Sequence, residues 1–226
     1  MRMMVVFEKG EQLRFIGHLD LMRTMQRALR RSGLPIKYSN GFNPHIRLSF
    51  AAPLSVGVIG LRELMEVPLE DGITEKTFTT AMNAVLPSCL QIRSCRCLDD
   101  RFPALMSLVA GADYRIVFPK NAQTDQLMER FDDFMALESY VANRRTKSGE
   151  NPCDIRPFVL SGAARIESEK YVIELRTAAL KEGMLKPSLW LDSFCEFAGS
   201  NPVPALIYRT AILAAHGEER MPMEEY

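Results

Sequence analysis

The stretch that decides the fold is residues 3–35, MMVVFEKGEQLRFIGHLDLMRTMQRALRRSGLP. It opens with sulfur-containing, β-branched and aromatic residues, which predict a strand over residues 3–8. A helix is predicted over residues 18–32, because apolar residues recur at helical spacing and Gly33 and Pro35 follow its end. This apolar stripe consists of Leu21, Met22, Met25, Ala28 and Leu29. The chain therefore opens with a strand followed by an amphipathic helix.

The elements around this stretch follow a βαββαβ order with one extra short strand. Extended segments are predicted at 35–38, 46–52 and 61–69, then a helix at 74–86 and a strand at 90–98. The pattern then restarts, with strands at 113–118, 140–146, 157–166, 170–177 and 205–213 and helices at 123–138 and 187–198. This order is that of the split βαβ, ferredoxin-like arrangement. We therefore expect an α+β protein of two tandem ferredoxin-like domains with antiparallel sheets.

The same pattern predicts where the domains begin and end. The first domain is expected over residues 1–98, followed by a connector over 99–111 with a few apolar anchors. The second domain is expected over 112–214, and the polar segment 215–226 is expected to fray as a tail.

The composition is that of a folded protein and excludes several classes. Of 226 residues, 47% are hydrophobic and 25% are charged, which excludes wholesale disorder and collagen-like structure. No uncharged apolar stretch approaches the ~20 residues of a membrane span, and the first residues do not have the pattern of a signal peptide. We therefore expect a cytoplasmic protein that does not contact membranes.

The five cysteines are few and irregularly spaced, which predicts reduced thiols rather than a disulfide framework. Cys89, Cys95 and Cys97 could in principle form a metal site, but no fourth ligand or C-x-x-C pair accompanies them. Small, buried apolar roles are the simpler interpretation. We expect no metal and no other cofactor.

The zero net charge conceals a strong asymmetry along the chain. Residues 1–62 contain ten Arg or Lys and three Asp or Glu, a net charge of +7, so residues 63–226 sum to −7. A local excess of this size creates a positive field over one face of a protein. Such a face suits phosphate groups, a nucleic acid or an acidic protein partner.

Residues 38–50, YSNGFNPHIRLSF, are the densest group of chemically useful side chains. The Asn-Gly and Asn-Pro pairs predict a sharp loop between extended segments. Exposed on that loop, its rings, amides and cations would suit a nucleotide or single-stranded RNA. In the alternative interpretation the loop is merely tight, with Phe42 in the core and His45 bonded to a backbone carbonyl. The candidate binding residues are Tyr38, Asn40, Phe42, Asn43, His45 and Arg47.

The start of the first helix, GHLD at residues 17–20, is a second candidate. His18 beside a positive helix N-terminus, with Arg23, Arg27 and Arg30 along the polar face, could hold an anion. Alternatively, Asp20 caps the helix or pairs with neighbouring arginines on a solvated face.

A third candidate is residues 143–158, NRRTKSGENPCDIRPF, which predict a basic hairpin tip. Lys147, Asp154 and Arg156 would reach towards a ligand from the second domain. The alternative is a solvated hairpin without a ligand.

Motifs that carry catalysis are missing from the sequence. It has no P-loop, no G-x-G-x-x-G, no G-x-S-x-G and no H-E-x-x-H, and its cysteine spacing does not match a radical SAM cluster motif. Only His18, His45 and His216 are available, which excludes most histidine-based catalytic sets. We therefore expect a protein that is not itself an enzyme.

Residues 14–57 closely resemble the opening of the radical SAM-linked protein family, and DIRPF at 154–158 resembles its second landmark. This is a domain family of unknown function, fused to the C-terminus of cobalamin-binding-type radical SAM proteins or encoded beside them. Ile46 is a departure, because the family pattern leads us to expect proline there. The resemblance implies an accessory protein with a radical SAM enzyme as its partner.

Together these observations predict an RNA-binding accessory module. The arginines and Lys147 would contact phosphates, Tyr38 and Phe42 would stack on bases, and His18, Asn43 and His45 would form specific hydrogen bonds. Two alternatives stay open. One is a docking subunit that binds the radical SAM enzyme without touching RNA. The other is a metal-independent RNA-processing enzyme that uses His18 or His45 as a general base.

Overall fold

A computed structural model describes residues 1–99, 101–146, 149–217 and 219–226. The chain forms two compact units. Unit 1 comprises residues 1–109 and 209–226, and unit 2 comprises residues 110–208. Both contain helices and antiparallel β-sheet, so the α+β class predicted from the sequence is correct.

In chain order, the elements are β1 (Arg2–Lys9), α1 (His18–Arg31), β2 (Ser49–Phe50), β3 (Val58–Pro68), α2 (Glu75–Asn83), β4 (Leu90–Leu98), α3 (Leu105–Leu108), β5 (Val109–Pro119), α4 (Ala122–Met128), α5 (Phe131–Ala136), β6 (Val141–Thr146), β7 (Gly149–Asp154), β8 (Val159–Glu167), β9 (Lys170–Leu180), β10 (Gly183–Met184), α6 (Pro187–Phe197), β11 (Leu206–His216) and β12 (Glu219–Pro222). Short 3₁₀ turns cover Glu11–Leu13, Arg156–Phe158 and Met223–Glu225.

The sheet of unit 1 has β1 at its centre. β1 pairs antiparallel with β3 on one side and with β4 on the other. The second edge of β3 is shared by β2, which pairs at Ser49↔Glu66, and by β11. β12 pairs antiparallel with β11, so the segment expected to fray instead adds a strand to unit 1.

The core of unit 1 lies between this sheet and the two helices α1 and α2. Alternate side chains of β1 enter it, because successive residues of a strand point to opposite faces. They meet the apolar stripe that the sequence predicts for α1. The fully buried members of this core include Met3, Val5, Phe7, Met25, Leu29, Phe78 and Met82.

Unit 2 has β9 at the centre of an antiparallel sheet. β9 pairs with β5 along one edge and with β8 and the short β10 along the other. β6 and β7 form a separate two-stranded hairpin. The helices contribute a cluster of aromatic rings, in which Phe131 and Phe134 of α5 pack against Trp190 and Phe194 of α6 at centroid distances of 5.3–6.5 Å.

Several boundaries differ from the sequence-based ones. β5 already begins at Val109, inside the expected connector, and the single helix expected over 123–138 is two helices. Residues 209–226 group with unit 1 rather than with the second domain or a free tail. Met223 explains part of this grouping, because its side chain is completely buried.

Candidate functional site

The loop between Tyr38 and Ile46 is closed by backbone pairing at its base. Tyr38 and Ile46 form an antiparallel bridge, and the Ser39 N–H donates to the carbonyl of His45 at 2.8 Å. Gly41 has φ +121°, in the region that favours glycine, so the Asn-Gly pair permits the sharp reversal. At the tip, the Phe42 side chain is fully exposed, with a relative accessibility of 105%. The alternative in which Phe42 enters the core is therefore wrong.

His45 is held by the same loop closure. Its backbone N–H donates to Ser39 Oγ at 3.0 Å, and the same Oγ lies 2.7 Å from His45 Nδ1. Because Nδ1 is engaged by the serine hydroxyl, Nε2 is the ring nitrogen left to meet a ligand. The imidazole is exposed and oriented, and its hydrogen bond is to a hydroxyl rather than to a backbone carbonyl.

The arginines of α1 form an exposed row on the polar side of the helix. Arg23, Arg27 and Arg30 are all exposed, at i, i+4 and i+7. Asp20 does not cap the helix, since Gly17 is the N-cap residue; its carboxylate instead accepts from Arg23 at 3.1 Å. Both side chains of this pair are 65% exposed, so water screens it and it leaves the row strongly basic.

A groove of about 350 Å³ separates α1 from the extended segment 45–49. Met22 and Gln26 line its helix side, and Gln26 Nε2 also donates to the carbonyl of Ile46 at 3.4 Å. His45, Arg47 and Ser49 line the opposite wall. The groove thus connects the loop to the helix and brings His45 and Arg47 to one cleft.

His18 lies one helical turn before Met22 and packs edge-on against Phe50, with ring centroids 5.3 Å apart. Its Nδ1 is buried without a hydrogen-bond partner among the described residues. His18 does not line the groove beside His45, whose helix side is formed by Met22 and Gln26, so the structure does not bring the two imidazoles into one cleft.

Two predicted ligand residues of the second domain have structural roles instead. The Arg156 guanidinium donates to three backbone carbonyls, those of Leu137 at 2.8 Å, Val159 at 2.6 Å and Met135 at 3.3 Å. Asp154 accepts from the backbone N–H groups of Tyr140 and Arg156, both at 3.0 Å. DIRPF is therefore a folding motif of unit 2. Lys147, the third residue of this prediction, lies outside the described residues.

The pKa of Asp154 reflects this role. Burial raises it, but hydrogen bonds from the backbone of Tyr140 and Arg156 and from the side chain of Ser139, together with the Arg156 charge, outweigh burial. The pKa of this carboxyl therefore lies below its usual value, and the charged form is the one that the turn uses.

Sequence reasoning missed an exposed apolar group beside the start of α1. Phe15, Leu19 and Val56 are 61–69% exposed, and the guanidinium of Arg14 lies 4.7 Å from the Phe15 ring centroid. Leu19 was detectable, because it lies off the apolar stripe of the helix. Phe15 was not, since it lies between Arg14 and Ile16 in a stretch without clear periodicity.

The cysteines do not assemble into a site. Cys95 Sγ lies 3.3 Å from both the Thr79 hydroxyl and the carbonyl of Glu75, and burial raises the pKa of its thiol. Among the described residues no three His, Cys, Asp or Glu side chains are grouped as a metal site would need.

Comparison with known families adds one result. Residues 2–187 match the family described as "Uncharacterized protein conserved in bacteria (DUF2344)". The chain belongs to this family. No curated protein matches the sequence, and none of the helices in the described ranges is long and apolar enough to cross a membrane.

Two solved structures resemble this family member. A chain in "Crystal Structure of a Cbf5-Nop10-Gar1 Complex" aligns with a TM-score of 0.53 at 10% identity, covering 93% of the present chain and 48% of the other. The present chain thus spans about half the length of that relative, and the likeness concerns the fold alone. "Crystal Structure of an Unknown Protein from Galdieria sulphuraria" aligns with a TM-score of 0.27 at 10% identity, covering 93% of this chain and 98% of that one.

Proposed function

We propose that this protein binds structured RNA, such as tRNA or rRNA, through unit 1 as an accessory of a cytoplasmic radical SAM enzyme. The observation that carries the proposal is Phe42, an aromatic ring held fully in solvent by a closed loop. Burying a ring of this size stabilises a protein, so a loop that exposes one forgoes that contribution unless the ring contacts a ligand. An unstacked base is a ligand that such a ring binds well.

The surroundings of Phe42 supply the other contacts that RNA needs. Tyr38, 45% exposed at the base of the loop, is a second stacking surface. His45 Nε2 and the amides of Asn40 and Asn43 can form hydrogen bonds with base edges, and these residues are exposed. Arg47 and the α1 row of Arg23, Arg27 and Arg30 would neutralise phosphates.

The partner enzyme belongs to the proposal because of the motifs in residues 14–57 and 154–158. These resemble a family encoded beside, or fused to, radical SAM proteins, and the chain has no catalytic motif of its own. We also propose that the fold consists of two tandem ferredoxin-like domains. Strand orders β4-β1-β3-β2 in unit 1 and β8-β9-β5 in unit 2 support that description.

The test is RNA binding by fluorescence anisotropy across a salt series, using labelled tRNA and an unrelated structured RNA. The Arg27→Ala/Arg47→Ala variant should weaken binding and flatten the log–log salt slope by about 0.7–0.9 for each phosphate that is no longer neutralised. Phe42→Ala should weaken binding about 5- to 150-fold, corresponding to about 1–3 kcal/mol of stacking, with the slope unchanged.

The matched control is Arg101→Ala, which removes an exposed arginine of unit 1 outside the loop and α1. Its affinity and salt slope should equal those of the unaltered protein. No binding at low salt, or equal losses in Arg101→Ala and Arg27→Ala/Arg47→Ala, would refute the proposal. Cleavage products that disappear in His18→Ala or His45→Ala would instead identify an RNA-processing enzyme.

A second candidate function is docking on the enzyme without RNA contact, favoured by the exposed Phe15, Leu19 and Val56. Apolar side chains in a group with a polar surround are typical of protein interfaces. Competition by RNA separates the two functions. RNA should displace the enzyme only if RNA and the enzyme bind to the same loop and α1.

A further inference from the structure

Asn40 differs from the other asparagines of the chain in the residue that follows it, which is Gly41. Three of the other six are followed by proline, which has no backbone N–H: Asn43, Asn151 and Asn201. The remaining three belong to helices or strands, as the last residue of α2, the N-cap of α4 and a residue of β6: Asn83, Asn121 and Asn143. Asn40 is thus the asparagine whose next backbone nitrogen carries a proton and lies in a loop.

The Asn40-Gly41 pair is open to solvent. The Asn40 side chain is exposed, and a Cβ atom added at Gly41 would meet nothing within 4 Å. Among the residues that the structure describes, no hydrogen bond holds the Asn40 side-chain amide or the Gly41 N–H. Asn83 shows the opposite situation, because its amide donates to the carbonyl of Ile92 at 2.9 Å and accepts from the same residue's N–H at 2.8 Å. The fold therefore leaves both groups of the loop pair free to react with each other.

We propose that Asn40 is a site of spontaneous deamidation, in which the Gly41 nitrogen displaces the side-chain amide. The Gly41 N–H loses its proton to water, a bond forms between this nitrogen and Asn40 Cγ, and the bond from Cγ to Nδ2 breaks. The leaving nitrogen takes a proton from water and departs as ammonia, which leaves a five-membered succinimide ring. Water then opens the ring. The sum consumes one water and releases one ammonia, without oxidation or reduction.

Both ways of opening the ring place a carboxylate at residue 40. Attack of water on Cγ restores the ordinary backbone and gives aspartate. Attack on the main-chain carbonyl carbon gives isoaspartate, in which the main chain passes through Cβ. Isoaspartate lengthens the loop by one carbon inside its two closing contacts, the Tyr38–Ile46 bridge and the hydrogen bond from Ser39 to His45.

The effect of this carboxylate on RNA rests on the proposed function. The new charge repels phosphates, and it opposes the charges of Arg47 and of the α1 arginines. It also replaces an amide, which can donate to a base edge, with a group that only accepts hydrogen bonds. Deamidation at Asn40 therefore weakens RNA binding by unit 1 as the protein ages.

Mass spectrometry tests the modification without RNA. The full chain is held at physiological pH and temperature, sampled over several days and digested with trypsin, which cleaves after Lys37 and Arg47. The peptide 38–47 contains both Asn40 and Asn43, so Asn43 is the matched control within one fragment. This peptide should gain one mass unit, located at Asn40 by fragmentation, with Asn43 unchanged. Asn40→Gln should gain none, because the corresponding attack would have to close a six-membered ring.

Fluorescence anisotropy with labelled tRNA tests the consequence. Aged protein should bind about fivefold more weakly than fresh protein at low salt, the effect of one like charge about 4 Å from a phosphate in water. The loss should shrink as salt rises, because salt screens this repulsion. The affinity of Asn40→Gln, whatever its starting value, should not change with incubation.

A synthetic peptide of residues 38–47 shows the same reaction without the fold. If it deamidates while Asn40 in the folded chain keeps its mass, the fold protects the pair and the proposed site is wrong. A mass gain without any loss of affinity would refute the effect on RNA binding and leave the modification site standing. Fresh protein that binds no RNA would refute the proposed function instead, and the mass of peptide 38–47 would still decide whether Asn40 is modified.

Discussion

Unit 1 contains Arg209, Glu63 and Lys9 as almost completely buried charged residues. Arg209 and Glu63 form an ion pair at 2–3% exposure, with Arg209 Nε 2.8 Å from Glu63 Oε1. The same guanidinium donates to the carbonyls of Pro53 and Ala52, each at 3.1 Å. Lys9 donates to the carbonyls of Arg14, Ile16 and Val58. These cations hold loops onto the sheet, which explains their burial without a ligand.

Breaking the buried pair should be costly. Glu63→Gln leaves the Arg209 charge without its counterion, so we expect the free energy of unfolding to fall by about 3–5 kcal/mol. Urea denaturation followed by circular dichroism measures the loss. The control Glu11→Gln breaks an exposed pair with Arg14 and should cost less than about 1 kcal/mol. Equal losses in the two variants would contradict the buried-pair description.

The Tyr171 hydroxyl should make the stability of the protein depend on pH. This hydroxyl donates to Asp125 at 2.7 Å, and this bond, with burial and the negative charges of Asp125 and Glu129, raises its pKa to about 12. The folded pKa lies above the ordinary value near 10, so the contribution to stability is complete below about pH 10 and is lost as pH rises towards 12.

Ultraviolet titration of the phenolate checks this contribution. Asp125→Asn removes the acceptor charge, so the last tyrosine to ionise should do so at a pH closer to 10. Tyr171→Phe should remove that last step altogether. If the titration of Asp125→Asn matches that of the unaltered protein, another tyrosine ionises last.

The role of a residue could be predicted from the sequence where its immediate neighbours determine it. It could not be predicted where the residue's hydrogen-bond partners are distant in the chain. The Asn-Gly pair predicts the loop that exposes Phe42, because glycine adopts φ +121° at Gly41. The sequence predicted Arg156 to be a ligand-binding residue. Its three carbonyl acceptors lie within residues 135–159, and no pattern in the sequence indicates that these carbonyls surround one guanidinium.

At the scale of elements, Arg156 joins the 3₁₀ turn at 156–158 to the end of α5. Arg156→Lys keeps the charge but loses the planar fork that reaches three carbonyls. We expect unit 2 to lose about 1–3 kcal/mol of stability, with RNA binding unchanged. Urea denaturation and anisotropy check the two expectations separately. Weaker RNA binding by a stably folded Arg156→Lys would return this residue to the ligand site.

Elements with strong periodicity were predicted well, and irregular ones were not. The helix expected over 18–32 spans His18–Arg31. Its buried residues belong to the predicted apolar stripe, and it ends just before Gly33, as expected. The segment 46–52 contains only the two-residue strand β2, and β11 also pairs with β3. The helix expected over 123–138 is interrupted at 129–130, where Arg130 has a non-helical ψ of 4°.

At the scale of the molecule, the basic excess is local. Residues 1–62 carry +7, but residues 63–109 contribute −3 and residues 209–226 contribute −2, so unit 1 has a net charge of only +2. The positive field therefore belongs to α1 and its loop rather than to the whole unit. The net charge of each segment could be counted from the sequence. The packing of the acidic segment 209–226 into unit 1 could not be predicted from it.

Unit 1 should need both of its chain segments. Residues 1–109 joined by a Gly/Ser linker to residues 209–226 should unfold cooperatively in urea, because Arg209 and Met223 complete the interior. Residues 1–109 alone leave Glu63 buried without its guanidinium and should show no cooperative transition. Equal cooperativity of the two fragments would show that the second segment is dispensable.

The division of unit 1 into two segments also sets an order of events during translation. Synthesis at about 5–20 residues per second delivers the inserted unit 2 whole before the last residues of unit 1 emerge. The N-terminal segment of unit 1 therefore emerges from the ribosome with Glu63 unpaired, because Arg209 is synthesised 146 residues later. Meanwhile the N-terminal segment lacks the residues that complete its interior, so we expect unit 1 to fold only after residues 209–226 have been synthesised.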